Sequence, residues 1–142
     1  MNEKPKVAVI EDDPDIADIV RFALENEGCE VRVARDGVVG LALVRGWGPD
    51  LVLLDIAMPG MDGFQVLHEI RRNTRIRQMP VIMMTARKQG ADVQQALSAG
   101  ADDYLVKPFE LSALVAKVRR RLAGRATPAD PAARPPSGTV RI

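Results

Sequence analysis

Two rhythms of apolar residues alternate along this chain. Continuous apolar runs at 7–10 (Val-Ala-Val-Ile), 51–54 (Leu-Val-Leu-Leu) and 81–84 (Val-Ile-Met-Met) are bounded by charges or turn formers, the signature of strands buried on both faces of a sheet. They predict strands over 7–10, 50–55 and 80–85. Residues 30–34 (Glu-Val-Arg-Val-Ala) alternate instead, as a strand with one wetter face would, and 104–107 (Tyr-Leu-Val-Lys) make a fifth short run.

Between these runs the period lengthens to that of a helix. Pro14 follows Asp13 as a first-turn proline follows an N-cap, and Ile16, Ile19, Val20, Ala23 and Leu24 recur at helical spacing until Gly28. Asp36-Gly37 opens a second helix carrying Leu41, Ala42 and Val44, which Gly46, Trp47, Gly48 and Pro49 end. Residues 63–72 predict a third, with Phe64, Val66, Leu67 and Ile70 facing inward. A fourth, 91–99, is closed by Gly100 and has the weakest apolar face; a fifth, 111–122, places Leu114, Val115, Val118 and Leu122 on one side. Strands and helices in strict alternation predict a parallel α/β sheet covered on both faces, with right-handed crossovers.

The polar residues matter because of where they fall. The first run ends in Glu11-Asp12-Asp13, the third in Asp55, the fourth in Thr85 and the fifth in Lys107. In a parallel sheet these ends share one edge, the edge at which open α/β folds bind ligands. Asp13 has a structural task as helix cap, and Asp55 taken alone reads equally as a turn or cap aspartate; the coincidence of four strand ends favours a site. A carboxylate cluster without thiol or imidazole is a hard-oxygen site suited to Mg²⁺. Asp55, with an ordinary pKa of about 3.9, is expected to stay ionised near neutrality and to act as a nucleophile needing no general base. Mg²⁺ and the Lys107 ammonium would neutralise a transferred phosphoryl group, and Thr85 would donate a hydrogen bond to it.

Composition narrows the reading without redirecting it. The chain has 142 residues, 46% of them hydrophobic, and a net charge of +1, enough for one domain with a little left over. The near-balanced charge gives no whole-molecule argument for binding nucleic acid or membrane. Cys29, the only cysteine, cannot form an internal disulfide, and no apolar stretch approaches a signal or membrane-spanning length. A cytoplasmic location is therefore expected, with the lone His68 on a helix surface. Lys117, Arg119, Arg120, Arg121 and Arg125 read as a solvated helix face and its end rather than as a nucleic-acid contact. From Arg125 the sequence is rich in proline and alanine and has no apolar period, which divides the chain into a domain at 1–124 and a linker or disordered tail at 125–142. The β-prone 139–142 suits the start of an output domain and an ordinary chain end equally.

Taken together these residues resemble the receiver domain of two-component response regulators, the CheY-like family. The resemblance covers residues 6 to about 122. It rests on Glu11-Asp12, on the stretch from Asp55 through Met58-Pro59-Gly60 to Gly63, on Thr85-Ala86, and on the stretch from Gly100 to Phe109. It implies a flavodoxin-like (βα)5 fold with strand order 2-1-3-4-5, and a phosphoacceptor switch rather than an enzyme. By resemblance, Asp55 takes a phosphoryl group from a sensor histidine kinase or phosphotransfer protein. Asp12 and Asp55 ligate Mg²⁺ directly, Glu11 acts through a water, and Ala57 offers its backbone carbonyl. Thr85 and Lys107 contact the phosphoryl group, Lys107–Pro108 is cis, and Tyr104 turns inward as Thr85 moves, although Tyr104 reads equally well as a plain strand aromatic.

The resemblance further implies an output through the fourth helix, fifth strand and fifth helix, toward an output domain, a target protein or a phosphorylation-linked homodimer. Of the charges that pair across the dimer axis in OmpR/PhoB-type receivers, Asp103 and Lys117 are retained, whereas Val93, Ala113, Ser98 and Gly124 stand at other such positions. A largely monomeric unphosphorylated protein is expected, with any phosphorylation-linked dimer weaker and less salt-sensitive than a charge-paired one. Two rival classes remain in view. A pseudo-receiver, a pure interaction module, is opposed by the full set of Asp12, Asp55, Thr85 and Lys107. An aspartyl-phosphate phosphohydrolase is opposed by Ala57, which stands where that chemistry places a second acid.

Overall fold

Strand alternation assigns every core side chain to one of two layers. In the computed structural model, which describes residues 3–86 and 90–124, β1 (Lys6–Ile10), β2 (Glu30–Ala34), β3 (Leu51–Asp55), β4 (Val81–Thr85) and β5 (Asp103–Val106) form one parallel sheet in the order β2-β1-β3-β4-β5. Successive side chains of a strand point to opposite faces. Val7, Val9, Leu51, Leu53, Ile82 and Met84 accordingly pack with Val20 and Leu24 of α1 (Pro14–Asn26) and Leu114 and Val118 of α5 (Leu111–Gly124). Ala8, Ile10, Val52, Leu54, Val81 and Met83 pack on the other face with α2 (Gly37–Trp47), α3 (Gly63–Arg72) and Ala96 of α4 (Gly90–Ser98). Every residue of β3 and β4 is buried, whereas β2, at the sheet edge, alternates as its sequence does.

The predicted fold class and strand order are the observed ones, and the differences are local. β5 starts at Asp103 and stops at Val106, so Lys107 is the first residue beyond the strand. Pro80 precedes β4, having no N–H for the ladder, although its carbonyl still accepts from Val52 N–H at 2.9 Å. Ile19 is 53% exposed, and Ala42 also faces solvent. Ala17, Val20 and Leu24 already fill the stripe of α1 that meets the sheet, which leaves Ile19 and its neighbour Phe22 outside it. The predicted linker at 125–142, and Arg125 of the basic run, lie outside the described residues.

The turn between β3 and α3 places the third strand end. Asp13 caps α1 as its sequence predicts, and Asp62 caps α3 in a full capping box: its side chain accepts from Gln65 N–H at 2.9 Å while the Gln65 side chain accepts from Asp62 N–H at 2.8 Å. Gly63 N–H donates to the Ile56 carbonyl at 2.9 Å, which closes the loop that leaves Asp55. A Cβ at Gly63 would collide with the Asp55 carbonyl oxygen and lie 2.7 Å from Ile56 Cα. These are backbone atoms that cannot rotate aside. Gly63→Ala is therefore expected to destabilise the fold by about 2–4 kcal/mol, the range of a forced backbone shift in a packed region; urea unfolding checks this, and a loss below about 0.5 kcal/mol would show that the turn has room to spare.

Candidate functional site

Two strand ends and the first residues beyond two other strands meet at the C-terminal edge of the sheet. Glu11 follows β1, Asp55 ends β3, Thr85 ends β4, and Lys107 follows β5. The hydrophobic runs that bury β1, β3 and β4 on both faces carry these polar residues with them: Glu11 is 0% exposed and Asp55 and Thr85 are each 3% exposed. Burial of acids at this level requires a partner. Lys107 supplies it, donating from Nζ to Glu11 Oε1 at 2.7 Å and to Asp55 Oδ1 at 3.2 Å. The second oxygen of Glu11 accepts from Asp13 N–H at 3.1 Å.

One ammonium shared by two buried carboxylates leaves a surplus of negative charge. Burial first, and then the charge of Glu11, push the Asp55 carboxyl from its ordinary 3.8 up to about 7, with Lys107 opposing both. Burial also works against the charged form of Lys107, but the hydrogen bond to Glu11 and the charges of Asp55 and Glu11 outweigh it and raise its pKa. Ionisation of Asp55 near neutrality was expected with both a metal and Lys107 holding the charged form; Lys107 by itself does not offset burial and Glu11. What the sequence could not show is that Glu11 and Asp55 are buried and share the single ammonium of Lys107.

The donor set fits a hard divalent cation. Ligand oxygens of Glu11, Asp12 and Asp55 all lie within 4.8 Å of one another, and Asp12 is half-buried at the rim. A bound dication would relieve the repulsion that raises Asp55. Ala57 lies two residues beyond Asp55 in the exposed part of the same loop. The Lys107–Pro108 peptide bond is cis. Thr85 is one residue past Met84, the register partner of Asp55, and its carbonyl accepts from Lys107 N–H at 2.6 Å. Tyr104 is half-buried opposite Met83 in the register, so it shares a sheet face with Thr85 two residues along β4. Of the predicted site residues, Glu11, Asp12, Asp55 and Lys107 are brought together, Thr85 and Ala57 flank them, and Tyr104 sits further along the edge strand.

Two features escaped the sequence reading. An apolar cleft of about 450 Å³ opens beside Lys107, lined by Ile16, Ile19 and Val20 of α1 and by Pro108, Phe109 and Leu111. Its signal was present in α1, which carries more apolar positions than one buried stripe can use. The second feature is that Asp103 and Lys117, read as charges facing a partner, pair within the chain at 2.9 Å, with Lys117 Nζ also 5.6 Å from the centre of the Tyr104 ring. Burial opposes the charged form of Asp103, but the Lys117 hydrogen bond prevails and holds its carboxyl below the ordinary range. His68 is exposed, as expected, and Cys29 is buried.

The chain is similar in sequence and fold to known proteins. Residues 7–119 match the family model described as the response regulator receiver domain. The chain is 44% identical over 118 residues to the DNA-binding dual master transcriptional regulator RpaA of Synechocystis, covering 83% of this chain and 49% of that protein. It is 41% identical over 119 residues to the DNA-binding response regulator MtrA of Mycolicibacterium smegmatis, covering 84% and 51%. The chain thus spans about half the length of these relatives. Among solved structures, the receiver domain of the Francisella response regulator 1452 superposes with a TM-score of 0.80 at 33% identity, covering 84% of this chain and 97% of that one. The chemotaxis protein CheY4 of Vibrio cholerae does so at 0.79 and 30%, covering 83% and 98%.

The crowded carboxylates have a consequence for stability. An acid whose folded-state pKa lies above its unfolded value favours the folded state while protonated, so that contribution is present below about pH 4 and is lost as pH rises through about 7. Asp55→Asn keeps the shape and removes the titration. In the presence of a chelator, the variant is expected to gain on the parent as pH rises from about 5 to about 8, by roughly 1–3 kcal/mol. Denaturant unfolding at the two pH values measures the difference. A constant offset between variant and parent would show that Asp55 is not strained by its neighbours.

Proposed function

The chain belongs to the response regulator receiver domain family, and on that premise we propose that it is a phospho-aspartate switch in which Asp55 accepts a phosphoryl group from a sensor histidine kinase or phosphotransfer protein. One observation carries the reading: a buried carboxylate, Asp55, stands at a strand end within reach of one ammonium and two further acids. A carboxylate oxygen of Asp55 attacks phosphorus, the bond from phosphorus to the donor nitrogen breaks, and its electron pair returns to the donor imidazole, which leaves protonated on its other nitrogen. Lys107 exchanges part of its contact with Asp55 for the incoming phosphoryl oxygens, which it is placed to neutralise. The Thr85 hydroxyl donates to another of them. Tyr104, on the same sheet face, follows that movement.

Asp12 and Asp55 would hold Mg²⁺ directly, Glu11 through a water, and the Ala57 carbonyl would complete the protein ligands. Both oxygens of Glu11 already accept a hydrogen bond, which supports its indirect role. When bound, the ion supplies charge neutralisation for the carboxylates and the transferring group. The cleft beside Lys107, which itself contacts Asp55, supports approach of a donor with an apolar helical face.

The output surface is that of α4, β5 and α5, acting on an output domain or target protein outside this stretch of chain. Because Asp103 and Lys117 are paired in cis, they are poorly placed to pair across a two-fold axis, which supports a weak homodimer at most. Lys117, Arg119 and Arg121 each have an acidic partner within the chain, which supports the absence of a nucleic-acid role for this segment. Among the described residues no helix is long and apolar enough to cross a membrane.

Exposure of the full chain to acetyl phosphate with Mg²⁺, followed by intact mass, tests the reading. One acid-labile phosphoryl adduct is expected, lost with Asp55→Asn or with a chelator. No adduct would favour the pure interaction module, rapid turnover of acetyl phosphate without an adduct would favour a phosphohydrolase, and an adduct surviving Asp55→Asn would move the acceptor elsewhere.

A further inference from the structure

α4 is fastened differently from α3. Among its described side chains only Ala96 is buried, whereas α3 buries Val66, Leu67 and Ile70. Apolar packing therefore does little to fix α4 along its length. Its C-terminal end is instead fastened by hydrogen bonds. Gly100 adopts φ +107 and, with Ala101, returns its N–H to Leu97 and Ala96 carbonyls at 3.1 and 3.0 Å.

Arg71, in the last turn of α3, is the centre of that fastening. Its Nε donates to the Gly100 carbonyl at 2.9 Å, its Nη1 to the carbonyls of Met79 and Arg77 at 2.6 and 2.8 Å, and its Nη2 to Asp102 Oδ2 at 3.0 Å. The same oxygen of Asp102 accepts from Val81 N–H at 2.8 Å, and Asp102 N–H donates to the Val81 carbonyl at 2.8 Å. Arg121 of α5 donates to the Asp102 carbonyl at 2.7 Å. The guanidinium lies so near Gly100 that a Cβ there would sit 3.2 Å from Arg71 Nε. One side chain thus joins α3, the entry to β4 and the turn between α4 and β5.

We propose that Arg71 is a positioning residue that makes α4 a lever: its C-terminal end is pinned at residues 100–102, and movement begun at Thr85 enters at its N-terminal end. The inference rests on the phosphoacceptor reading for the origin of that movement. α3 is a suitable anchor because its first residue, Gly63, abuts the Asp55 carbonyl and its interior is packed into the core. The fork geometry is essential, since a guanidinium donates in several fixed directions whereas an ammonium is a single point.

Hydrogen exchange on the full chain, with and without beryllium fluoride and Mg²⁺ as phosphoryl mimic, tests the lever. In the parent, the mimic should alter exchange in the first turn of α4 and leave 99–102 unchanged. In Arg71→Met, exchange at 99–102 should rise at least about tenfold without the mimic, and the mimic's effect should spread along the whole helix. Arg71→Lys should behave like Arg71→Met. Asp102→Asn, whose amide oxygen still accepts from Val81 N–H, removes only the charged link and gives an intermediate rise should Arg71→Met unfold the protein. The mimic's effect falling equally on both ends of α4 in the parent, or an unchanged pattern in both Arg71→Met and Asp102→Asn, would overturn the proposal. A normal acetyl phosphate adduct on Asp55 with no change anywhere in α4 would overturn the lever alone. Absence of both would overturn the phosphoacceptor reading with it.

Discussion

Two buried carboxylates share one ammonium, and much of this molecule can be understood as holding that arrangement together. Glu11, Asp55 and Lys107 are brought within 2.7 and 3.2 Å across separations of 96 and 52 residues. Taking such charges out of water costs several kcal/mol per ion, and a single cation cannot offset two anions. The apolar layers on both faces of the sheet must therefore supply stability in excess of what the site consumes. They also fix its geometry: strands buried on both faces cannot slip in register without exposing one layer and crowding the other. The repulsion left on Asp55 would be relieved by a cation, and in the proposed switch that relief favours binding there.

The remaining features keep that edge of the sheet in place or carry changes away from it. Gly63 lets α3 begin against the Asp55 carbonyl, and the Asp62 capping box fixes the direction in which the helix leaves. At its other end α3 presents Arg71 to the carbonyls of Gly100, Arg77 and Met79. One rigid helix thus spans from the Asp55 carbonyl to the base of α4, and among the described side chains of α4 only Ala96 is buried. On the opposite face, the apolar residues of α1 that the sheet cannot use form one wall of the cleft beside Lys107.

What was legible in the sequence follows from what sequence encodes locally. Runs such as Leu51 to Leu54 ending in Asp55 expose both the strand and the residue it delivers, so the parallel α/β class and the gathering of Glu11, Asp12, Asp55 and Lys107 could be anticipated, whereas the strand order came with the family resemblance. Asp13 announced the cap it forms, whereas the capping box of Asp62 and Gln65 went unread. Properties that arise only from proximity could not be read. The rise of the Asp55 pKa depends on Glu11, which is distant in sequence. The bonds of Arg71 go mostly to backbone carbonyls, which carry no side-chain signature. Asp103 and Lys117 were legible as charges but not as partners of each other, and Ile19 was legible as apolar although solvent, not the core, receives it.

The central claim is that burial and the neighbouring Glu11 hold the Asp55 carboxyl above its ordinary pKa, and that a divalent cation beside it would bring the pKa down. Titration of its carboxyl carbon by ¹³C NMR, with and without saturating Mg²⁺, addresses this without any variant. The account predicts a midpoint near 7 in the cation-free protein, falling by at least about one unit when Mg²⁺ is present. A midpoint near 4 without the cation, or one that Mg²⁺ leaves unmoved, would contradict it.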